Sequence, residues 1–424
     1  MLKKIFLSFP MIFAFLAIAF QPVSAQQTVV GQQNSAIDVQ AVQTAVNQGG
    51  TIILKGSFDF GDKGRVDITK DVKIVGEKDD GGKPLTKIKG GFWTFHSPLP
   101  AQLPPDVPGP KITIQNIHFD GALWAPIFLT YSSGATITNN KITNVQPVPS
   151  PVPIYGKTGL NRQQGINCGT AYAILDAPKY HHGVFKGLLT IADNEIDVFN
   201  DTPTKTLAQG VFVIWTTGVT AQILRNTIYN CSRNSIETLD NYLGEDGSGM
   251  ILIKDNKIVT AQVGIPVPGP LTPNGIVAGW WRDVTGGADP KRNPKHTIIN
   301  NSIRARGETS FGISCLADGA VIDGNAIVTE ASGARPLILW SSNVYISHNK
   351  IEGTGMHGLN VSPLGALKGS NNVFVGNDFH QFKASVADVI FEKGANNNLL
   401  LDSRGTVSDL GSGNQIEGLK PVSK

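Results

Sequence analysis

Charge and cysteine are both scarce in this sequence. Charged residues make up 16% of the 424 residues, against roughly one quarter in an ordinary soluble domain. That scarcity argues against coiled coils, helical bundles and nucleic-acid binders. The net charge is +3, and about +1 once the early Lys3 and Lys4 are set aside. Nothing in such a balance draws the chain to nucleic acid or to an anionic membrane. The three cysteines, Cys168, Cys231 and Cys315, lie far apart with no C-x-x-C spacing. A disulfide framework and a thiolate metal site are thereby excluded, while a single Cys168–Cys231 pair stays open in an oxidising compartment. Long apolar runs are missing too, with one exception at the start. Ile5 to Phe20 is apolar but interrupted by Pro10, and it is shorter than the ~20 residues that span a bilayer. Preceded by two lysines and followed by Val23-Ser24-Ala25, it has the pattern of a signal peptide over residues 1–25. The expectation is a mature protein that starts at Gln26, carries no membrane segment and works outside the cytoplasm, secreted or periplasmic.

What the chain has in quantity is glycine (47), proline (25) and apolar residues (41%), the makings of many turns around a large core. It also has a repeat: apolar, two residues, Asn, one residue, apolar. The copies centre on Asn140, Asn194, Asn226, Asn256, Asn301, Asn325, Asn349 and Asn377. The shortest intervals are 24 residues, too short for a unit to bury its own apolar face. Stacking such units makes one continuous core. Two short strands flank a corner at each asparagine, which tolerates left-handed backbone. Asparagines of successive turns would sit about 4.8 Å apart, close enough for their amides to bond. A third strand follows each pair, for example Ile127–Leu129, Ala173–Leu175, Val211–Val213 and Ile313–Cys315. Three strands per turn in constant order predict an all-β chain wound as a right-handed parallel β-helix. A β-propeller would need antiparallel blades of about 40 residues. Residues 26–50 read as an N-terminal segment with a capping helix over Ala36–Asn47, 51–403 as the helical domain and 404–424 as a loose last turn and tail.

The helix-Gly-Gly opening, the strand Thr51-Ile52-Ile53-Leu54 and the repeated I-x-x-N-x-I resemble right-handed parallel β-helix proteins of the pectate-lyase-like superfamily. The resemblance covers about residues 36–400. It implies a site on the third, or return, strand beside the long loops, and polysaccharide as the expected partner. Fold alone does not select an activity. Monomer and trimer stay open.

The long intervals, 54 residues before Asn194 and 45 before Asn301, place extra loops around that strand. Long loops on a rigid scaffold are often functional. By alternation, Asp176, Phe212, Glu237 and Val277 face outward, with Trp215, Asp240, Trp280, Trp281 and Arg282 just beyond the strands. Tryptophan faces are sugar platforms, so Trp215, Trp280 and Trp281, with Lys179, are the substrate-binding candidates. Packing of loops onto the solenoid is the equal alternative for each tryptophan. Asp176 and Glu237, read as two turns apart, suit an acid and a base about 10 Å apart at the backbone, with Asp240 a substitute for either. A lyase would instead use His181 as base and Arg282 to neutralise a uronate carboxylate. An Asp176, Glu237 and Asp240 cluster could instead bind Ca²⁺ through oxygen ligands, although the sequence has no fixed Ca²⁺ loop. For all of these, ordinary solvated surface residues are the competing reading.

Family signatures are incomplete. The N-T-D, G-H-G and R-I-K elements of polygalacturonase-like hydrolases are absent. Arg292-Asn293-Pro294 begins an R-x-P-x-x-R element but ends on Thr297, and Asp289-Pro290-Lys291 lacks the histidine of D-P-H. The leading expectation is a polysaccharide lyase or glycoside hydrolase. The rivals are a non-catalytic carbohydrate-binding or adhesin-like solenoid and a periplasmic accessory protein handling a metal or cofactor.

Overall fold

The computed structural model describes residues 26–100, 108–149, 161–169, 183–198, 206–244, 246–262, 272–280, 293–418 and 420–421. Asparagine corners organise it. A 15-stranded sheet holds the first strand of every turn, from Gly50–Lys55 through Lys111–Gln115 and Met250–Lys254 to Gln415–Ile416. The second and third strands of each turn form a 23-stranded network bent over a corner. Among the described strands, only the contact of Val148–Pro149 with Asn161–Gly169 is antiparallel. The architecture is a parallel β-helix, and the crossover rule for parallel strands gives it a right hand.

Register is set by the apolar residues of the repeat. Ile114, Ile137, Ile191, Ile223, Ile253, Ile298, Ile322 and Ile346 stack in line, each at most 1% exposed. A one-residue slip would turn all of them to solvent. At the following corner the eight repeat asparagines form an unbroken ladder. Each Nδ2 donates to the next Oδ1, from Asn140→Asn194 at 3.1 Å through Asn256→Asn301 at 2.9 Å to Asn349→Asn377 at 3.0 Å. The left-handed residue, however, is the one before the ladder asparagine: Asn139, Asp193, Arg225, Asp255, Asn300 and His348 have φ between 50° and 58°. The inward amide is occupied by its neighbours, so the preceding residue makes the turn.

At the open N-terminal end, the helix spans Ser35–Gln48, with the Asn34 side chain accepting from Ile37 N and Gly49 (φ 80°) ending it. Its buried stripe is Asp38, Val42, Ala45 and Val46, while Ile37 is exposed. The Asp38 carboxylate faces the protein because it accepts from the backbone amides of Gln32, Asn34 and Asp59. A strand at Gln27–Val30, pairing with Gly50–Lys55, precedes the helix and extends the first sheet. The C-terminal stretch is more regular than a loose tail. Thr406–Asp409 joins the return sheet and Gln415–Ile416 the first sheet, because Val407 is buried and an Asn398→Asn414 bond of 3.1 Å supports the turn.

All three cysteines are buried and free. Cys168 and Cys315 point into the core as small apolar residues, and burial raises all three thiols, Cys315 to about 11. The Cys168–Cys231 bond left open by the sequence is not formed.

Candidate functional site

The return strand is shaped by a second repeat at a second corner. Gln164-Gly165-Ile166-Asn167 stands in register with Gln209-Gly210-Val211-Phe212, then with Asn234-Ser235-Ile236-Glu237 and Asn274-Gly275-Ile276-Val277. Ile166, Val211, Ile236 and Ile276 lie in the core. The residue before each of them also points inward, at the bend. A Cβ on Gly210 would lie 2.5 Å from Ser235 O and 2.6 Å from Ile228 Cγ2, and one on Gly275 2.4 Å from Gly312 O. Two successive inward positions leave the residues on either side of them, three apart in sequence, both facing out.

These outward residues form one hydrogen-bonded chain. Asn167 Nδ2 and Trp124 Nε1 donate to Gln164 Oε1 at 2.7 and 2.9 Å. Gln164 Nε2 donates to Gln209 Oε1 at 2.9 Å. Gln209 Nε2 donates to Glu237 Oε2, which also accepts from Asn234 Nδ2 at 2.6 Å. Asn274 Nδ2 donates to Asn234 Oδ1 at 2.8 Å. Every member of this set from turn to turn is buried, Glu237 at 4% exposure. Burial raises the Glu237 carboxyl above its ordinary 4.5, against the opposing pull of the Arg233 charge, the Asn234 and Gln209 donors and the Arg162 charge. Two polar atoms of the same outward column, Asn167 Oδ1 and Ser314 Oγ, are buried without a hydrogen-bond partner.

The sequence candidates fall into three groups. Glu237 faces outward, as alternation places it, and sits at the centre of this network. Trp215 and Asp240 are brought together, the indole Nε1 donating to Asp240 Oδ2 at 3.1 Å. Neither is open: Trp215 is 8% and Asp240 5% exposed. Trp215 packs in an outward apolar cluster with Phe212, Ile214, Leu239, Val277, Leu316 and Leu367. Trp280, expected as a platform, is fully buried and edge-on to Tyr242 at 4.7 Å. For both tryptophans the packing alternative is the one observed. Asp176, Lys179, His181, Trp281 and Arg282 lie outside the described residues. The expected return strand Ala173–Leu175 also lies outside the described residues; the strand in register with Thr206–Ile214 is Asn161–Gly169, which carries the polar-Gly-Ile-polar corner. Asn167 therefore holds the outward place two turns before Glu237. Among the described residues no three His, Cys, Asp or Glu side chains converge to hold a metal ion.

Alternation along single strands did not reveal Gln164, Asn167, Gln209, Asn234 or Asn274. Their signal was the repeated polar-(Gly/Ser)-(Ile/Val) triplet, visible only once those segments are aligned.

No family model matches the chain, and no curated protein sequence does. Solved structures resemble it at low identity. A mannuronan C-5 epimerase A-module of Azotobacter vinelandii is 13% identical over 93% of this chain and 96% of its own, with a TM-score of 0.45. The Dettilon tailspike is 14% identical over 93% of this chain and 68% of its own, with a TM-score of 0.41. The surface adhesin PfbA of Streptococcus pneumoniae is 12% identical over 93% and 91%, with a TM-score of 0.35. At these values the likenesses carry no argument about activity, and the architecture stands on the strand pairing described above.

Proposed function

We propose that this β-helix engages a polysaccharide on the outward side of its return sheet, with Glu237 as the proton donor in lyase or glycoside hydrolase chemistry. One observation carries the reading: a carboxyl raised by burial, facing away from the core, at the point where two runs of oriented amides converge. A carboxyl whose pKa is raised keeps its proton to higher pH than an ordinary one and can give it to a departing glycosidic oxygen. Gln209 and Asn234 hold its position and would stabilise the carboxylate left after the proton is given up. The second group comes from Asp176 or Asp240 in a hydrolase, or from His181 with Arg282 in a lyase. Lys179 and Trp281 are the remaining candidates for sugar contact, and Ca²⁺ a candidate cofactor. The expected setting remains secreted or periplasmic.

The test is incubation with a panel of neutral and uronate polymers. A lyase forms an unsaturated product that absorbs in the ultraviolet, and a hydrolase releases reducing ends without that absorbance. Glu237→Gln should abolish either signal, and activity untouched by that change sinks the assignment. The depth of Glu237 favours a second reading, a non-catalytic binder in which the amide chain orders the surface. Glycan binding without product would select it.

A further inference from the structure

The outward column that contains Glu237 runs back through Phe212, Asn167 and Phe128 to His96 and Asp67. His96 lies four strands from Glu237, about 19 Å along the sheet. Trp93 precedes His96 by three residues, as Asn234 precedes Glu237. The corner that turns Asn234 and Glu237 outward thus places an indole and an imidazole at the N-terminal end of the same face.

The chemistry there is specific. His96 Nδ1 bonds Asp67 Oδ1 at 2.8 Å, and Arg65 Nε lies 3.1 Å from that same oxygen. The His96 bond, with the Arg65 charge, holds the Asp67 carboxyl below its ordinary value. An ionised carboxylate only accepts, so His96 carries its proton on Nδ1, and with the ring neutral Nε2 is a bare acceptor. His96 is 7% exposed, and Nε2 has no partner. Its ring stacks on Phe128 with 5° between planes and centroids 5.4 Å apart. The Trp93 ring lies 5.3 Å from it, and the buried Trp93 Nε1, a donor only, also has no partner. Trp93 is half-buried and held at φ 51°, in the left-handed region that a bulky residue rarely adopts. Strain of this kind concentrates at ligand sites.

A lone acceptor beside a lone donor, walled by aromatic faces, is complementary to a hydroxyl group on a ring, which both donates and accepts. We infer that His96 and Trp93 form a binding subsite for a hydroxyl of a sugar or cyclic polyol, with Asp67 fixing the imidazole tautomer and Trp93 supplying the donor and a wall. If the polysaccharide reading at Glu237 holds, this is the far end of the same binding face; the subsite itself rests on its own residues.

The experiment is calorimetric titration of the full chain with myo-inositol, neutral oligosaccharides and uronate oligosaccharides. His96→Phe keeps the ring stack and removes the acceptor, and Trp93→Phe keeps the wall and removes the donor. Each should weaken a ligand that the parent chain binds by about fivefold or more, the loss of one hydrogen bond, in a chain that circular dichroism shows to be folded. Binding of myo-inositol, too small to reach Glu237 four strands away, should not depend on Glu237. Parent-like affinity in both variants overturns the inference, as does a parent chain that binds none of the three ligand types. Binding or cleavage lost in Glu237→Gln but intact in the His96 and Trp93 variants defeats this subsite and spares Glu237. Polyol binding lost in those variants, with no polymer bound or cleaved, does the reverse.

Discussion

Each ladder asparagine saturates groups that water cannot reach. Asn256 donates to Ile223 O at 2.8 Å and to Asn301 Oδ1, and its own Oδ1 accepts from Asn226 N and Asn226 Nδ2. Asn256→Ala would strand those partners in the core. At about 1–3 kcal/mol for a buried group left unsatisfied, the variant should unfold at clearly lower denaturant with an unchanged slope, read by circular dichroism. Glu237 behaves oppositely. Its folded pKa lies above the ordinary 4.5, so the folded state holds the proton more tightly than the unfolded chain. Its contribution is therefore fully present below that value and is lost as pH rises through the raised one. Glu237→Gln should abolish that loss, and the variant's stability relative to the parent should improve from acid toward neutral pH in denaturant titrations. Activity resting on a protonated Glu237 should fall over the same rise in pH. At this scale the repeat asparagines and the outward Glu237 were legible in the sequence, because strict spacing encodes them. The burial of Glu237, Trp215 and Trp280 was not, since depth on an outward face depends on what packs over it.

At the scale of the element, the corner is the device that builds the candidate site. Gly210 is needed there for want of space, with no positive φ involved. Gly210→Ala should cost about 1–3 kcal/mol as an overpacked core position, and it should disturb the neighbouring Gln209–Glu237 bond. The check is a lower melting temperature together with a loss of any Glu237-dependent activity larger than the stability change explains. Asn161–Gly169 was not legible as a return strand, because its polar residues break the apolar alternation by which such strands are read. The register with Gln209–Phe212 decides for Asn161–Gly169, and register is a relation between segments that no single segment displays. The capping helix was legible from its apolar spacing, but the inward turn of Asp38 was not, because three backbone amides supplied by other segments draw the carboxylate in.

The whole molecule is held by stacking and backbone hydrogen bonds. With all three thiols free and buried, a reductant should leave the melting temperature unchanged. Thiol titration should count three groups per chain after denaturation and close to none before. A lowered melting temperature in reductant would show a bond absent from this structure. In a solenoid each turn contacts its neighbours, so stability is carried by successive interfaces. That suits a long face on which Glu237 and His96 occupy one outward column.

The winding follows from the order of residues alone. A 24-residue repeat with apolar residues at fixed offsets around an asparagine has one economical way to bury them, and that periodicity is local information. Which outward residues meet depends on how the turns stack. Hydrogen bonds between Gln209 and Glu237, or between Asp67 and His96, join residues 28 and 29 positions apart. They arise from the register of neighbouring turns, which insertions of unequal length conceal until the strands are stacked.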